Sequence, residues 1–449
     1  MKLQVIAVLL ILTLFINSCT QDRVLLTAQL DNRIEFLISQ NSPDGTMEYY
    51  ILDQEDDYAN IPQDPKNPIT AAKVELGKML FFDSGLGQDA VKDSGLGTYS
   101  CATCHIPEAG FKSGSFQGIA DGGIGYGIDG DNRRRNTEYE ESELDVQSAR
   151  PLTMVNVGYV TNTFWNGQFG ATEENIGTED VWDQNPATAR NHLGFEGIET
   201  QNFAGLIDHR IQINKPLLDE LGYTPLFDEA FADIDESERY TIMTGSLAFS
   251  AYIRTIISNR APFQDWLKGN KSAMSFEEKE GAVLFFGKAL CTNCHYKKNL
   301  GSLEFHALGV KDMYQRDGGA FDAFSTDRRN RGRGGFTLKD EDNFKFKVPG
   351  IYNSEGTPFF FHGASVEGLE DLVEYKNLAQ TENPNVPQSL ISDEFEVLNL
   401  TEEEKSNLIK FLRHSLTDPD MVRYKPDSVL SGACIPNNDV QSRIDLRCN

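Results

Sequence analysis

Cys101-Ala102-Thr103-Cys104-His105 and Cys291-Thr292-Asn293-Cys294-His295 decide how the rest of this chain is read. Each pentad spaces two thiols by two residues and follows the second with an imidazole. The chain has 449 residues with only seven cysteines and seven histidines, so random placement does not account for two such pentads. Thiols at this spacing add across the two vinyl groups of haem, and the adjacent histidine then binds the iron as its proximal ligand. Two covalent haem c groups are expected, one on Cys101, Cys104 and His105 and one on Cys291, Cys294 and His295. His105 and His295 are the expected metal ligands. Zinc fits less well, because a closed site takes four protein ligands and each pentad offers three. A CxxC redox pair leaves both histidines without a role.

Working outward, the N-terminus has Lys2, an apolar run from Val5 to Ile16, and then Asn17-Ser18-Cys19. The run is shorter than the roughly 20 residues of a bilayer span. This pattern reads as a lipoprotein signal over residues 1–18, with a lipid anchor on Cys19. The expected location is periplasmic, tethered to the outer membrane. In such an oxidising compartment Cys434 and Cys448 are expected to form a disulfide closing the C-terminal tail. A formal charge of -27 disfavours nucleic acid and anionic lipid as partners and suits a basic or metal-bearing protein.

With 39% hydrophobic and 24% charged residues, the chain is long enough for two packed cores. Apolar residues recur at helical spacing from Val24 to Ile38, from Phe203 to Asp219, from Ser237 to Ile257 and from Phe276 to Leu290. Thr70 is placed to cap a helix through Phe82, and Thr401-Glu402-Glu403-Glu404 has the form of a capping box. Strand signals are few. The expected fold is mainly α, with two cytochrome c-like haem domains: residues 19–69 form an N-terminal helix and linker, 70–270 the first haem domain and 271–449 the second. The final segment is expected to pack back on the first domain. Gly110 to Gly130 reads as a long loop. The basic cluster Arg328 to Arg333 reads as a solvated loop, a set of haem-propionate contacts or a docking patch.

Two haems allow electron transfer, if both irons are closed, or peroxide and oxygen chemistry, if one face is open below a polar group. Several further pieces make the choice. Glu75 to Asp83, Thr153-Met154-Val155-Asn156, Phe164-Trp165-Asn166-Gly167, Gly197-Ile198-Glu199 and Phe360-Phe361-His362-Gly363 flank the pentads in an order that resembles the bacterial di-haem cytochrome c peroxidases and their relative MauG. The resemblance implies that the His105 haem is peroxidatic and the His295 haem the electron-entry site. It implies reduction of hydrogen peroxide to water with electrons from a small cytochrome or cupredoxin. A MauG-like oxidation of a protein or small molecule is the main alternative, and a non-catalytic di-haem electron carrier is the third. The resemblance makes Trp165 a charge relay between the haems and Glu199 the catalytic acid, with Glu196 as its neighbour one helical turn away.

The departures from the family pattern are specific. Where the family carries a distal histidine beyond the first pentad, this chain has no histidine between His105 and His192, which implies an open first haem. Where the family places a distal methionine or tyrosine on the second haem, this chain has Lys376 beside Tyr375. Arg150 stands near the asparagine of the family's inter-domain calcium site, while Thr357-Pro358 is retained near the carbonyl donors, so one calcium ion is left open, as is a homodimer.

Overall fold

The structure, a computed structural model, describes residues 25–356 and 358–448. Its longer helices are α1 (residues 25–41), α2 (Ala71–Phe82), α3 (Gly197–Asp208), α4 (Ile242–Arg254), α5 (Phe276–Phe285), α6 (Gly368–Leu378) and α7 (Glu402–Lys410). Among the described residues the strands form three two-stranded antiparallel ribbons, so the fold is mainly helical with little sheet. No helix among the described residues is long and apolar enough to cross a membrane. The leader and Cys19 lie outside the described residues.

The expected caps form. Thr70 Oγ1 accepts from the Lys73 N–H at the start of α2, and Thr401 and Glu404 exchange side chain-to-backbone bonds at the start of α7. The helix expected over 203–219 is instead two. α3 starts at Gly197 and ends at Asp208; Arg210 then takes a positive φ of 56°, and Asn214, followed by Pro216, caps a new helix at Lys215–Leu221. The stretch 237–257 is likewise shortened to α4, because Thr241 and Thr244 form a capping box that restarts the chain. Gly123–Ile124, inside the expected loop 110–130, pairs with Arg134–Arg135.

A helix pair packs close to each pentad, and a glycine sets each crossing. A Cβ on Gly77 of α2 would fall 2.0 Å from the Ala248 carbonyl oxygen of α4. A Cβ on Gly281 of α5 would fall 2.1 Å from the Asn407 carbonyl oxygen of α7. Only a residue without a side chain lets these backbones approach so closely. Leu76, Leu80 and Phe81 of α2 are then fully buried, each worth about 2–3 kcal/mol of transfer from water. One continuous apolar core runs from Ile34 to Val429 and joins both helix pairs.

The two ends of the chain cross over. α1 and the residues after it pack beside the second pentad: Asp31 pairs with Lys279 at 2.7 Å, Asn41 donates to the Phe286 carbonyl at 2.9 Å, and Tyr50 donates to the Tyr296 carbonyl at 3.0 Å. The C-terminal tail, with the Cys434–Cys448 disulfide formed, packs beside the first. Ser100 donates to the Pro436 carbonyl at 3.1 Å, Asp439 pairs with Arg133 at 3.2 Å, and Asp445 accepts from the Tyr126 and Gly127 N–H groups.

Candidate active site

Both pentads fold into the same local device. Cys101–Thr103 and Cys291–Asn293 are single tight turns, and each following histidine donates its backbone N–H to the first cysteine of its pentad. His105 Nδ1 lies 3.1 Å from the Phe111 carbonyl, and His295 Nδ1 lies 2.8 Å from the Leu300 carbonyl. A carbonyl only accepts, so each Nδ1 carries the proton and each Nε2 keeps its lone pair for a metal. Phe111 and Leu300 both hold φ at 52°, a left-handed conformation that is rare for bulky side chains. Burial pushes both imidazoles down to about 4, which keeps them neutral. All four pentad thiols are free of disulfides.

The first pentad opens into a cavity of about 220 Å³. Cys101, Cys104 and His105 form one wall, Gln201, Gly205 and His209 of α3 and its end another, and Phe249 and Ile253 of α4 a third. Residues that follow the second pentad, Asn299, Phe346, Lys347 and Pro349, complete the lining. The Lys347 ammonium is buried there without a hydrogen-bond partner, and burial pushes its pKa down to about 7. A planar group that is apolar in its body and anionic at one edge satisfies such a wall. The thiol pair, the lone-pair-bearing imidazole and this unpartnered cation therefore fit a haem c with its propionates.

The structure brings some of the expected side chains to this cavity. Trp165 lines it, and its Nε1 donates to the Arg150 carbonyl at 2.7 Å. Beyond the indole, His362 stands edge-on at 6.3 Å, stacks on Phe346 at 3.5 Å and bonds to Asp312 at 2.9 Å. Glu199 is 1% exposed and is not among the lining side chains. Its oxygens accept from Arg254 Nη2 at 2.7 Å, from Arg254 Nε at 3.0 Å and from Asn67 Nδ2 at 3.2 Å. Glu196 takes a further bond from the same guanidinium at 2.9 Å. Burial raises the Glu196 pKa against the opposing pull of Arg254.

Sequence reading passed over another polar pair in the cavity. His209 and Asp145 both line it, with His209 Nδ1 at 3.0 and 2.9 Å from the two Asp145 oxygens. Asp145 holds this imidazole above its ordinary pKa, against the effect of burial. The pair is far apart in sequence, and only the break after Asp208 turns His209 toward the aspartate. Asn214-Lys215-Pro216 signals only the start of the next helix, and nothing in the sequence signals the pairing.

At the second pentad, Lys376 lies on α6 close enough to act electrostatically on Cys291, Cys294 and His295, and burial lowers its pKa. Tyr375 turns the other way: its hydroxyl donates to the Leu308 carbonyl at 2.7 Å and its ring packs on Phe395. His306 Nε2 lies 3.7 Å from Cys294 Sγ, and its Nδ1 lies 2.8 Å from the Ser392 hydroxyl. Arg150 is buried, its N–H donating to the His362 carbonyl at 2.8 Å and its Nη2 to the Ser113 carbonyl at 3.2 Å. A guanidinium offers calcium no oxygen ligand, and no cluster of three or more His, Cys, Asp or Glu among the described residues is built to hold a metal ion. Thr357 lies outside the described residues. In the basic cluster, Arg333 is buried and bonds to Asn175 at 2.7 Å, Arg329 is tied to Asp327 and also lines the first cavity, and Arg331 bonds to Asn343.

The family model of the di-haem cytochrome c peroxidases matches residues 71–272. The chain is 27% identical over 379 residues to the cytochrome-c peroxidase IdrP1 of Denitromonas iodatirespirans, covering 80% of this chain and 85% of that protein. It is 25% identical over 362 residues to the methylamine utilization protein MauG of Methylorubrum extorquens, covering 80% and 82%. Its fold matches the crystal structure of a MauG-like protein associated with microbial copper homeostasis, with a TM-score of 0.58 at 23% identity, over 82% of this chain and 95% of that one. The paired pentads, their matched imidazole anchors and these similarities together make the chain similar to the di-haem cytochrome c peroxidases and MauG, with the family model matched over residues 71–272.

Proposed function

We propose that this protein is a di-haem c-type peroxidase that reduces hydrogen peroxide to water with electrons from a small cytochrome or cupredoxin. The family carries di-haem peroxidase and oxidase chemistry; the haem roles and the donor are our reading. The observation that carries it is the contrast between the two pentads. The cavity at His105 is faced by polar side chains, including Gln201, Asn202 and the His209–Asp145 pair, whereas the surroundings of His295 hold the buried Lys376. The first site is the one fitted to admit peroxide, and the second the one fitted to pass electrons.

In this reading Cys101, Cys104 and His105 hold one haem, and Cys291, Cys294 and His295 the other, in two haem domains meeting near residue 270. Haem iron, when bound, supplies the peroxide-binding and redox chemistry. Lys347 and Arg329 line the cavity as partners for propionate charge. Trp165 serves as the relay: it shares the first cavity's wall with Pro349, whose backbone also faces His295. An indole there combines a low-lying cation state with packing at the seam. We assign Glu199 to holding α3 against α4 through Arg254, because its carboxylate is committed to that guanidinium. Export with a lipid on Cys19, and residence in the periplasm, complete the proposal.

Steady-state peroxide consumption by the two-haem protein, with reduced cytochrome or cupredoxin as donor, tests it. Donor-dependent turnover is expected. The missing distal histidine beyond the first pentad and the absent methionine near the second haem favour a MauG-like oxidation as the second reading. Peroxide-driven oxidation of a protein substrate, with no turnover of small donors, would replace the first reading with that one. A ferric spectrum that is low-spin at both haems, with no peroxide reaction, would leave an electron carrier.

A further inference from the structure

The chemistry of the first cavity calls for a group that moves a proton, and the expected Glu199 is engaged elsewhere. We propose that His209, oriented by Asp145, is the catalytic acid–base residue of the first cavity. The inference rests on the peroxidase reading and names the residue that performs its proton transfer.

Four features carry it. His209 lines the same cavity as Cys101, Cys104 and His105, and its charge is felt by His105. Its side chain keeps 42% of its surface uncovered, whereas Asp145 beside it is 5% uncovered. Both Asp145 oxygens bond to Nδ1, at 3.0 and 2.9 Å, so Nδ1 carries a proton and Nε2 is the nitrogen left to work. An aspartate bonded in this way fixes the tautomer of a histidine base and stabilises the imidazolium once it forms. His209 also caps the C-terminal end of α3, where the helix carbonyls favour positive charge. Asp208 precedes it and Arg210 follows, with Arg210 tied to Asp121 and the Glu143 carbonyl.

The step balances with the haem that Cys101, Cys104 and His105 would hold, which would supply the two electrons that O–O cleavage requires and be restored by the donor protein. Nε2 takes a proton from one oxygen of hydrogen peroxide and returns it to the other as the O–O bond breaks. The bond pair leaves with the departing oxygen, which is released as water. Two electrons from the donor protein and two protons from solvent convert the remaining oxygen to a second water. Over the cycle H₂O₂, two electrons and two protons give two H₂O, and His209 ends as it began.

The test uses the full two-haem protein and the variants His209→Gln, Asp145→Asn and Glu199→Gln. Hydrogen cyanide is the probe, since it also must lose a proton to bind ferric haem, and its association rate reads the base without turnover. With haem content and the ferric spectrum unchanged, His209→Gln is expected to slow both cyanide association and the peroxide-driven spectral change about 10²-fold. Asp145→Asn should give a smaller loss in both rates, and Glu199→Gln should change neither by more than about tenfold. Wild-type cyanide and peroxide rates in His209→Gln would overturn the proposal. So would a low-spin ferric haem in the wild type that turns high-spin in His209→Gln, because His209 would then be an iron ligand. If cyanide association slows in His209→Gln while the wild type proves inert to peroxide, the base stands and the peroxidase reading falls.

Discussion

The Glu199 carboxylate lies 2.7 Å from Nη2 of Arg254, and both residues are sealed from solvent, at 1% and 0% exposure. The pair joins α3 to α4 and draws in Asn67 and Glu196. Removing one member of such a pair leaves a buried charge uncompensated, which outweighs any loss of attraction between two solvated ions.

Glu199→Ala is therefore expected to destabilise the folded protein by on the order of 3 kcal/mol, since Glu196 still answers part of the guanidinium charge. Denaturant unfolding of the two-haem protein measures this. Glu199→Gln should fold, lose less stability and keep peroxide turnover within about tenfold of wild type. A loss of 10²-fold or more in Glu199→Gln at wild-type stability would return the acid role to Glu199.

Two haems per chain are expected from the matched pentads. Pyridine haemochrome against protein concentration, with intact mass, should return two covalent haems. Cys101→Ala and Cys291→Ala should each mature poorly, because the cofactor fills the space its wall residues line. A stable and active preparation with one haem would refute the assignment.

The second haem is expected to lack thioether ligation, given that Lys376 approaches the pentad and Tyr375 is tied to Leu308. Near-infrared absorption and magnetic circular dichroism of the ferric protein should show no His/Met signature. Lys376→Met should introduce that signature and raise the midpoint potential of this haem in a potentiometric titration. A His/Met signature in the wild type would overturn the expectation.

What the sequence made legible was local. The Thr70 and Thr401 caps and the tail disulfide depend on residues close together or on a chemistry with few alternatives, and each is found as read, while the two pentads fold into matching turns. Helix ends were harder, since periodicity runs on through Arg210 and Thr241 while backbone conformation and capping stop the helix. The cavity was least legible. The direction in which Glu199 points depends on Arg254, 55 residues away, and the orientation of His209 depends on Asp145, 64 residues away. Single-sequence spacing carries no information about either pairing. The choice between Lys376 and Tyr375 needed the hydrogen bond to Leu308, a contact across 67 residues.

Trp165 stands where the two halves of the molecule share a wall. Its indole N–H is held by the Arg150 carbonyl at 2.7 Å, its own carbonyl accepts from the Lys347 N–H at 2.7 Å, and its ring faces the His362–Phe346 stack. These bonds fix the ring between residues that line the first cavity and residues that follow the second pentad. A relay and a packing residue make different demands on the side chain. Packing asks for volume, which Phe largely supplies; a relay asks for an easily oxidised ring, which Phe does not provide. Trp165→Phe is therefore expected to keep haem content, ferric spectra and stability to within about 1 kcal/mol, beyond the loss of one hydrogen bond. Inter-haem electron transfer, followed by stopped flow after reducing the second haem, should slow by at least about tenfold in the same variant. Equal transfer rates in Trp165→Phe and wild type would make the indole a packing residue. Loss of stability together with altered ferric spectra would show instead that the seam had been disrupted, and Trp165→Tyr, which restores an oxidisable ring, would then separate the two roles by whether transfer recovers.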